Sequence, residues 1–197
     1  MSRLIETIRF AEGHPENLAY HLRRMNDSSQ AVFGDTLHWK PSHLVRDIEL
    51  PADRVYKIRL LYNFTEGRIT TEPYTIKPVR SLKLVTDNEI VYDHKFENRT
   101  AIERLLTMKE DCDDILIIKN NLVTDISYGN IIFRKDHEWY TPDSFLLNGT
   151  MRQSLLDRNK IKERRITVDD IKYFTHFKII NAMLRDDAQE SEILNIR

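Results

Sequence analysis

The chain begins with strict alternation. Leu4, Glu6, Ile8 and Phe10 fall on one side of an extended segment, and Ile5, Thr7 and Arg9 on the other. That pattern predicts a strand ending at an Ala11-Glu12-Gly13-His14 turn. From Asn17 to Phe33 the spacing lengthens to that of a helix, with Leu18, His21, Leu22, Met25 and Val32 recurring and Gly34 as the stop. Ser42 to Leu50 predicts a second, shorter helix. Val55 to Tyr62 and Arg68 to Glu72 flank Thr65-Glu66-Gly67, the pattern of a hairpin. Pro73 and Pro78 bracket a connecting stretch.

Beyond it, Leu82 to Val85 reads as a strand and Ala101 to Met108 as a helix with Ile102, Leu105 and Leu106 on one face. Asp114 to Ile118 is a buried-strand pattern, followed by an Asn120-Asn121 turn and another strand. Asn130 to Lys135 and Glu138 to Thr141 pair around Asp136-His137. Gly149 to Asn159 predicts a helix and Ile161 to Val168 a strand, before a short helix and the apolar Phe177 to Ala182 segment. The pattern predicts a small α+β domain over residues 1–79 and a larger mixed α/β domain over residues 80–197.

Composition narrows the function classes. Thirty basic side chains against 31 acidic ones leave a net charge of -1, so no broad field favours nucleic acid or a membrane surface. Cys112 is the only cysteine, which excludes an intrachain disulfide and a cysteine metal cluster. No apolar run approaches a membrane span. The start, Met1-Ser2-Arg3-Leu4-Ile5-Glu6, carries no signal-peptide pattern, so a cytoplasmic location is expected. His38 and His43 are separated by Pro41 and have no acidic ligand motif, so no metal site is expected. Lys160, Lys162, Arg164 and Arg165 read as a solvated strand face.

Three features carry candidate chemistry. Lys95 stands in Tyr92-Asp93-His94-Lys95-Phe96-Glu97-Asn98-Arg99, just before a helical pattern. Asp125 ends an apolar strand ahead of Ser127-Tyr128-Gly129-Asn130. Gly149-Thr150-Met151 opens a helix, where backbone N–H groups can receive an anion. A lysine amine, a carboxylate at a strand end and a helix start are the parts that hold pyridoxal 5'-phosphate. Each also has an ordinary structural reading: a solvated lysine, a turn carboxylate and a plain helix start. Arg24 lies beside the apolar stripe of the first long helix. It either covers that surface with its stem or offers a forked hydrogen bond to a phosphate. Arg59, between Ile58 and Leu60, either faces solvent or meets a partner anion.

In order along the chain, these segments resemble the class IV, or fold-type IV, pyridoxal-phosphate-dependent aminotransferase family. Leu4-Ile5-Glu6-Thr7-Ile8-Arg9 is similar to its Phe-Glu-Thr strand and implies a substrate contact at Thr7. His21-Leu22-Arg23-Arg24-Met25 resembles its His-x-x-Arg-Leu helix and places a phosphate contact on Arg24. Lys95 to Arg99 matches the Lys-x-x-Asn-Arg of its lyase members and places the Schiff-base lysine on Lys95. Asp125 and Asn130-Ile131-Ile132-Phe133 resemble the strand in which an acidic residue, usually Glu, precedes Asn-Leu-Phe by five. Trp139-Tyr140-Thr141-Pro142 is similar to the family's Tyr-Thr-Pro strand. Asn148-Gly149-Thr150-Met151-Arg152-Gln153 resembles its phosphate loop, and Asn181-Ala182 its late Asn-Ala segment. Three departures stand out: Asp125 is one methylene short, the glycine-rich loop is not recognisable, and Asn181-Ala182 leads to Arg185-Asp186-Asp187.

The resemblance implies a two-domain fold-type IV architecture with pyridoxal 5'-phosphate as cofactor. Lys95 would be the catalytic residue, and Arg24, Lys95, Asp125, Gly149, Thr150, Met151 and Asn181 would contact the cofactor. Thr7 and Arg59 would contact a small amino substrate. The lyase wording is closest to the 4-amino-4-deoxychorismate lyases, which release pyruvate and 4-aminobenzoate. Arg59 is familiar from branched-chain and D-amino-acid aminotransferases, the alternative activity. A homodimer is expected from the same resemblance.

Overall fold

The computed structural model describes residues 3–185 and 187–197. The sequence readings at Met1-Ser2 and Asp186 lie outside the described residues. The chain forms two compact units, Met1–Ile76 with His94–Asn98, and Lys77–Asp93 with Arg99–Arg197.

In the first unit, strands β1 (Leu4–Ala11) and β2 (His14–Pro15) precede helices α1 (Leu18–Phe33) and α2 (Pro41–Arg46). Strands β3 (Tyr56–Tyr62) and β4 (Gly67–Pro73) complete an antiparallel sheet of order β2-β1-β3-β4. The alternation in β1 has its expected result: Leu4, Ile8 and Phe10 are buried with Ile58, Leu60 and Met25. Burial of each such side chain contributes roughly 1.5–3 kcal/mol. Gly34 ends α1 at φ 82°, with its N–H donating to the Gln30 carbonyl. Asn63 Oδ1 accepts from the Thr65 and Glu66 N–H groups at 2.9 and 3.0 Å and shapes the β3–β4 turn.

Helix α2 is shorter than the expected Ser42 to Leu50. It stops at Arg46, and Leu50 precedes Pro51, whose ring disfavours helical backbone in the residue before it. The segment carrying Lys95 belongs to this unit, although the sequence reading divides the chain at residues 79 and 80. Backbone bonds tie it to β1: Ile5 N–H donates to Lys95 O and Glu97 N–H to Arg3 O, each at 2.9 Å. Leu4 bridges to Phe96, whose ring packs on the core.

The second unit is built on one eight-stranded sheet, with six strands in the order β10-β9-β8-β7-β6-β5. These are β5 (Leu82–Thr86), β6 (Asp114–Lys119), β7 (Leu122–Ile126), β8 (Asn130–Lys135), β9 (Glu138–Pro142) and β10 (Lys162–Arg164). β11 (His176–Ile180) pairs with β8 and with β12 (Ser191–Glu192). Helix α3 (Thr100–Leu106) packs on β6, and α4 (Thr150–Asp157) lies between β9 and β10 in the chain. Asn120 and Asn121, at φ 51° and 64°, make the left-handed turn that suits a tight hairpin.

The expected strand from Ile161 to Val168 is a correction. Only Lys162–Arg164 pairs in a strand, parallel to β9. The Thr167 hydroxyl and N–H both donate to Asp170 Oδ2, at 2.7 and 2.9 Å, and this capping box starts a 3-10 helix over Val168–Tyr173. Among the described residues, no helix is long and apolar enough to cross a membrane.

Phe133 is fully buried against Phe174, with ring centroids 5.2 Å apart, and near Phe177. Phe133→Ala is expected to cost about 3–5 kcal/mol. Chemical denaturation checks this as a lower midpoint at an unchanged slope.

Candidate active site

A charged residue on the apolar face of a strand must find partners, and Glu6 does so in the first unit. Its carboxylate is fully buried. Arg24 grips it in a fork, Nε to Oε1 at 2.9 Å and Nη2 to Oε2 at 2.6 Å. His21 Nδ1 lies 2.6 Å from Oε2. Burial alone would raise the Glu6 pKa, but Arg24 and His21 outweigh it and hold the carboxyl at about 2. Burial lowers the His21 pKa, with Glu6 opposing, so a neutral ring donates its Nδ1–H to the carboxylate. The glutamate and arginine thus cancel in charge within one buried cluster.

Beside it, His94 Nδ1 lies 3.3 Å from Ser28 Oγ and so ties the residue before Lys95 to α1. Lys95 itself is half-buried, and its charge is felt by His21. Thr7 and Arg59 are cross-strand partners, with Thr70 next in the same row on β4. Arg59 is exposed on the sheet face opposite the buried Ile58 and Leu60. The first unit therefore brings Thr7 to Arg59, and Arg24 to Glu6.

The second unit gathers Asp125, Gly149, Thr150 and Asn181 around the turn between β7 and β8. Asp125 Oδ2 accepts from the Leu146 and Leu147 N–H groups at 3.1 and 2.9 Å. Oδ1 accepts from Asn130 Nδ2 at 2.8 Å, and the same amide reaches Leu147 O at 2.9 Å. Two side chains thereby fix the loop that enters α4. Gly149 is required by close approach: a Cβ there would sit 2.1 Å from Asn130 Oδ1. Helix α4 has no side-chain cap, and Thr150 is buried in its first turn. Met151 points into the core with Ile132, Leu155 and Ile180, so only its backbone could meet a ligand.

Asn181 Oδ1 accepts from the Met183 and Leu184 N–H groups at 2.8 and 2.9 Å, closing its own turn. Its Cβ would be 3.4 Å from a Cβ placed on Gly129, which sets it beside the β7–β8 turn. Arg99 Nη2 donates to Ser127 O at 2.5 Å, and Ser127 Oγ donates to the buried Asp114 at 2.9 Å. A cavity of about 350 Å³ in this unit is lined by Tyr92, Thr124, Phe145 and Leu146 among others. Neither Asp125 nor Gly149 lines it.

The geometry fits a group with a cationic N–H and an anionic tail. A carboxylate accepts about four hydrogen bonds, and Asp125 receives three, so one position remains on Oδ1. Burial pushes the Asp125 pKa up to about 6, against the pull of the Leu147, Asn130 and Leu146 donors and of the Arg152 charge. A cation facing Oδ1 would bring it back down. Sequence reasoning did not single out Glu6, His21 and Asn130, which the structure joins by hydrogen bonds to Arg24 and Asp125. Glu6 had a visible signal, a carboxylate in register with Leu4, Ile8 and Phe10.

Two measurements test this site. The raised Asp125 pKa favours the folded state below about pH 4, and that advantage is lost as pH rises through about 6. Asp125→Asn should therefore gain about 2 kcal/mol relative to wild type between pH 4 and pH 7, read from denaturation curves. An unchanging difference would mean that the carboxyl does not titrate there. Gly149→Ala must displace Asn130 and is expected to cost about 1–3 kcal/mol, read from the same curves.

Comparison with known proteins gives these positions a family. A family model for amino-transferases of class IV matches residues 3–185. An uncharacterised protein of Haemophilus influenzae is 38% identical over 186 residues, covering 93% of this chain and 98% of its own length. A crystal structure of a proposed 4-amino-4-deoxychorismate lyase from Haemophilus somnus superposes with a TM-score of 0.84 at 34% identity, covering 93% of this chain and 97% of that one. A proposed amino-acid aminotransferase from Mesorhizobium loti has the same fold, with a TM-score of 0.79, 21% identity and full coverage of both chains. The chain belongs to the class IV aminotransferase family.

Proposed function

We propose that the protein is a pyridoxal-phosphate-dependent 4-amino-4-deoxychorismate lyase, releasing pyruvate and 4-aminobenzoate. The observation that carries this reading is the 34% identity, over nearly the whole of both chains, with the proposed lyase of Haemophilus somnus. The Lys95-to-Arg99 wording supports it, and the Arg99 contact to Ser127 gives the last residue of that motif a defined place. The cofactor reading is supported by the donor set: a half-buried lysine, a buried carboxylate with one acceptor position left, and an uncapped helix start.

When bound, pyridoxal phosphate supplies an aldehyde that joins to amines and a ring that draws electrons from the amine-bearing carbon. In this reading Lys95 would be the residue that holds the cofactor's aldehyde, and its Nζ would be the base that takes the proton from the substrate carbon. Asp125 Oδ1 would offer its remaining acceptor position to the ring N–H, while Oδ2 keeps the Leu146–Leu147 backbone in place. By the family's motifs, the Thr150 helix start would offer donors to the phosphate, and Arg24 would be a phosphate contact as well. Arg59, with Thr7 beside it, binds a substrate carboxylate. Loss of the enol-pyruvyl group leaves an aromatic ring, which supplies the driving force without a second substrate.

Incubating the protein with pyridoxal phosphate and 4-amino-4-deoxychorismate should release equimolar pyruvate and 4-aminobenzoate. Lys95→Ala should lower that rate by at least about a thousandfold, the range of a lost nucleophile and base. Absence of pyruvate, together with amino-acid-dependent loss of the cofactor's visible absorbance, would replace the lyase reading with branched-chain or D-amino-acid transamination.

A further inference from the structure

Strand β1 carries two adjacent residues that hold different parts of the first unit. The Ile5 N–H donates to the Lys95 carbonyl at 2.9 Å. Next to it, the Glu6 carboxylate holds Arg24 through Nε at 2.9 Å and Nη2 at 2.6 Å. Those two bonds lie along one edge of the planar guanidinium, so they set both its plane and the direction of its other edge. The carboxylate cannot swing, because His21 Nδ1 is 2.6 Å from Oε2 and the whole group is sealed from water.

We propose that Glu6 is a positioning residue: it orients Arg24 for the cofactor phosphate and, from the same strand that anchors Lys95, sets the spacing between the two. The proposal rests on the reading of Arg24 as a phosphate contact. An unrestrained arginine loses side-chain freedom each time it meets an anion, whereas one already gripped on its far edge has lost that freedom on folding. Glu6 thus acts through Arg24 and touches no ligand itself. Its location on β1 also explains why a carboxylate occupies a position where the neighbouring Leu4 and Ile8 would admit an apolar side chain.

The test compares pyridoxal phosphate with pyridoxal, which lacks the phosphate. The full chain, freed of cofactor, is titrated with each, and the ratio of the two dissociation constants measures phosphate recognition alone. Arg24→Gln should lower that ratio, taken as the constant for pyridoxal divided by that for pyridoxal phosphate, by about tenfold or more, the range of a charge-assisted hydrogen bond. Glu6→Gln should lower it in the same direction, and the double variant should fall no further than Arg24→Gln, because the two residues act as one unit. A Glu6→Gln protein with a lower melting temperature and an unchanged ratio would overturn the proposal, leaving Glu6 a purely structural partner. An unchanged ratio in Arg24→Gln would instead remove the phosphate reading of Arg24. Should Glu6→Gln fail to fold, Glu6→Asp keeps the charge, shortens the reach and carries the same comparison. An unchanged ratio in that variant would overturn the proposal equally.

Discussion

A carboxylate removed from water must collect enough donors to replace its hydration or give up its charge. Both units of this protein are organised around that constraint. Glu6 meets it with charge: Arg24 and His21 converge on a group with no solvent contact and keep it ionised. Asp125 meets it with neutral donors, two backbone N–H groups and the Asn130 amide, and its pKa stays raised. The difference is physical. A full positive charge at hydrogen-bond distance overcomes desolvation, while three dipoles do so only in part.

The two solutions suit different tasks. A cluster already neutral is rigid, and it serves as a fixed reference for the strand that also holds the Lys95 backbone. Asp125 keeps one acceptor position on Oδ1 and a raised pKa. Its bonds to Leu146 and Leu147 mean that the same group shapes the loop entering α4. The absence of a side chain at Gly149 follows from this arrangement, since Asn130 fills the space a Cβ would take.

Much of this was legible in the linear pattern. The alternation from Leu4 to Phe10, the helix stop at Gly34 and the Asn120-Asn121 turn rest on local sterics and periodicity, which the structure has no reason to override. Where local signals conflicted, reading failed. Ile161 to Val168 has strand-like composition, yet Thr167 and Asp170 form a capping box that ends the pairing and starts a helical turn. Met151, expected as a cofactor contact, packs its side chain in the core, so that expectation falls on its backbone.

The sequence by itself determined the order of elements, the apolar faces and, through motifs that resemble those of the class IV aminotransferases, the family to which the chain belongs. Those depend on residue identity at fixed separations, which a linear string records. Only the tertiary structure decided that Arg24 is gripped by Glu6, that Asp125 pins a loop 21 and 22 residues away, and that the Lys95 segment bonds to β1 of the first unit. Each of these is a contact between residues far apart in the chain. Their partners are selected by burial and by the need to satisfy polar groups, and neither can be evaluated until the chain has folded.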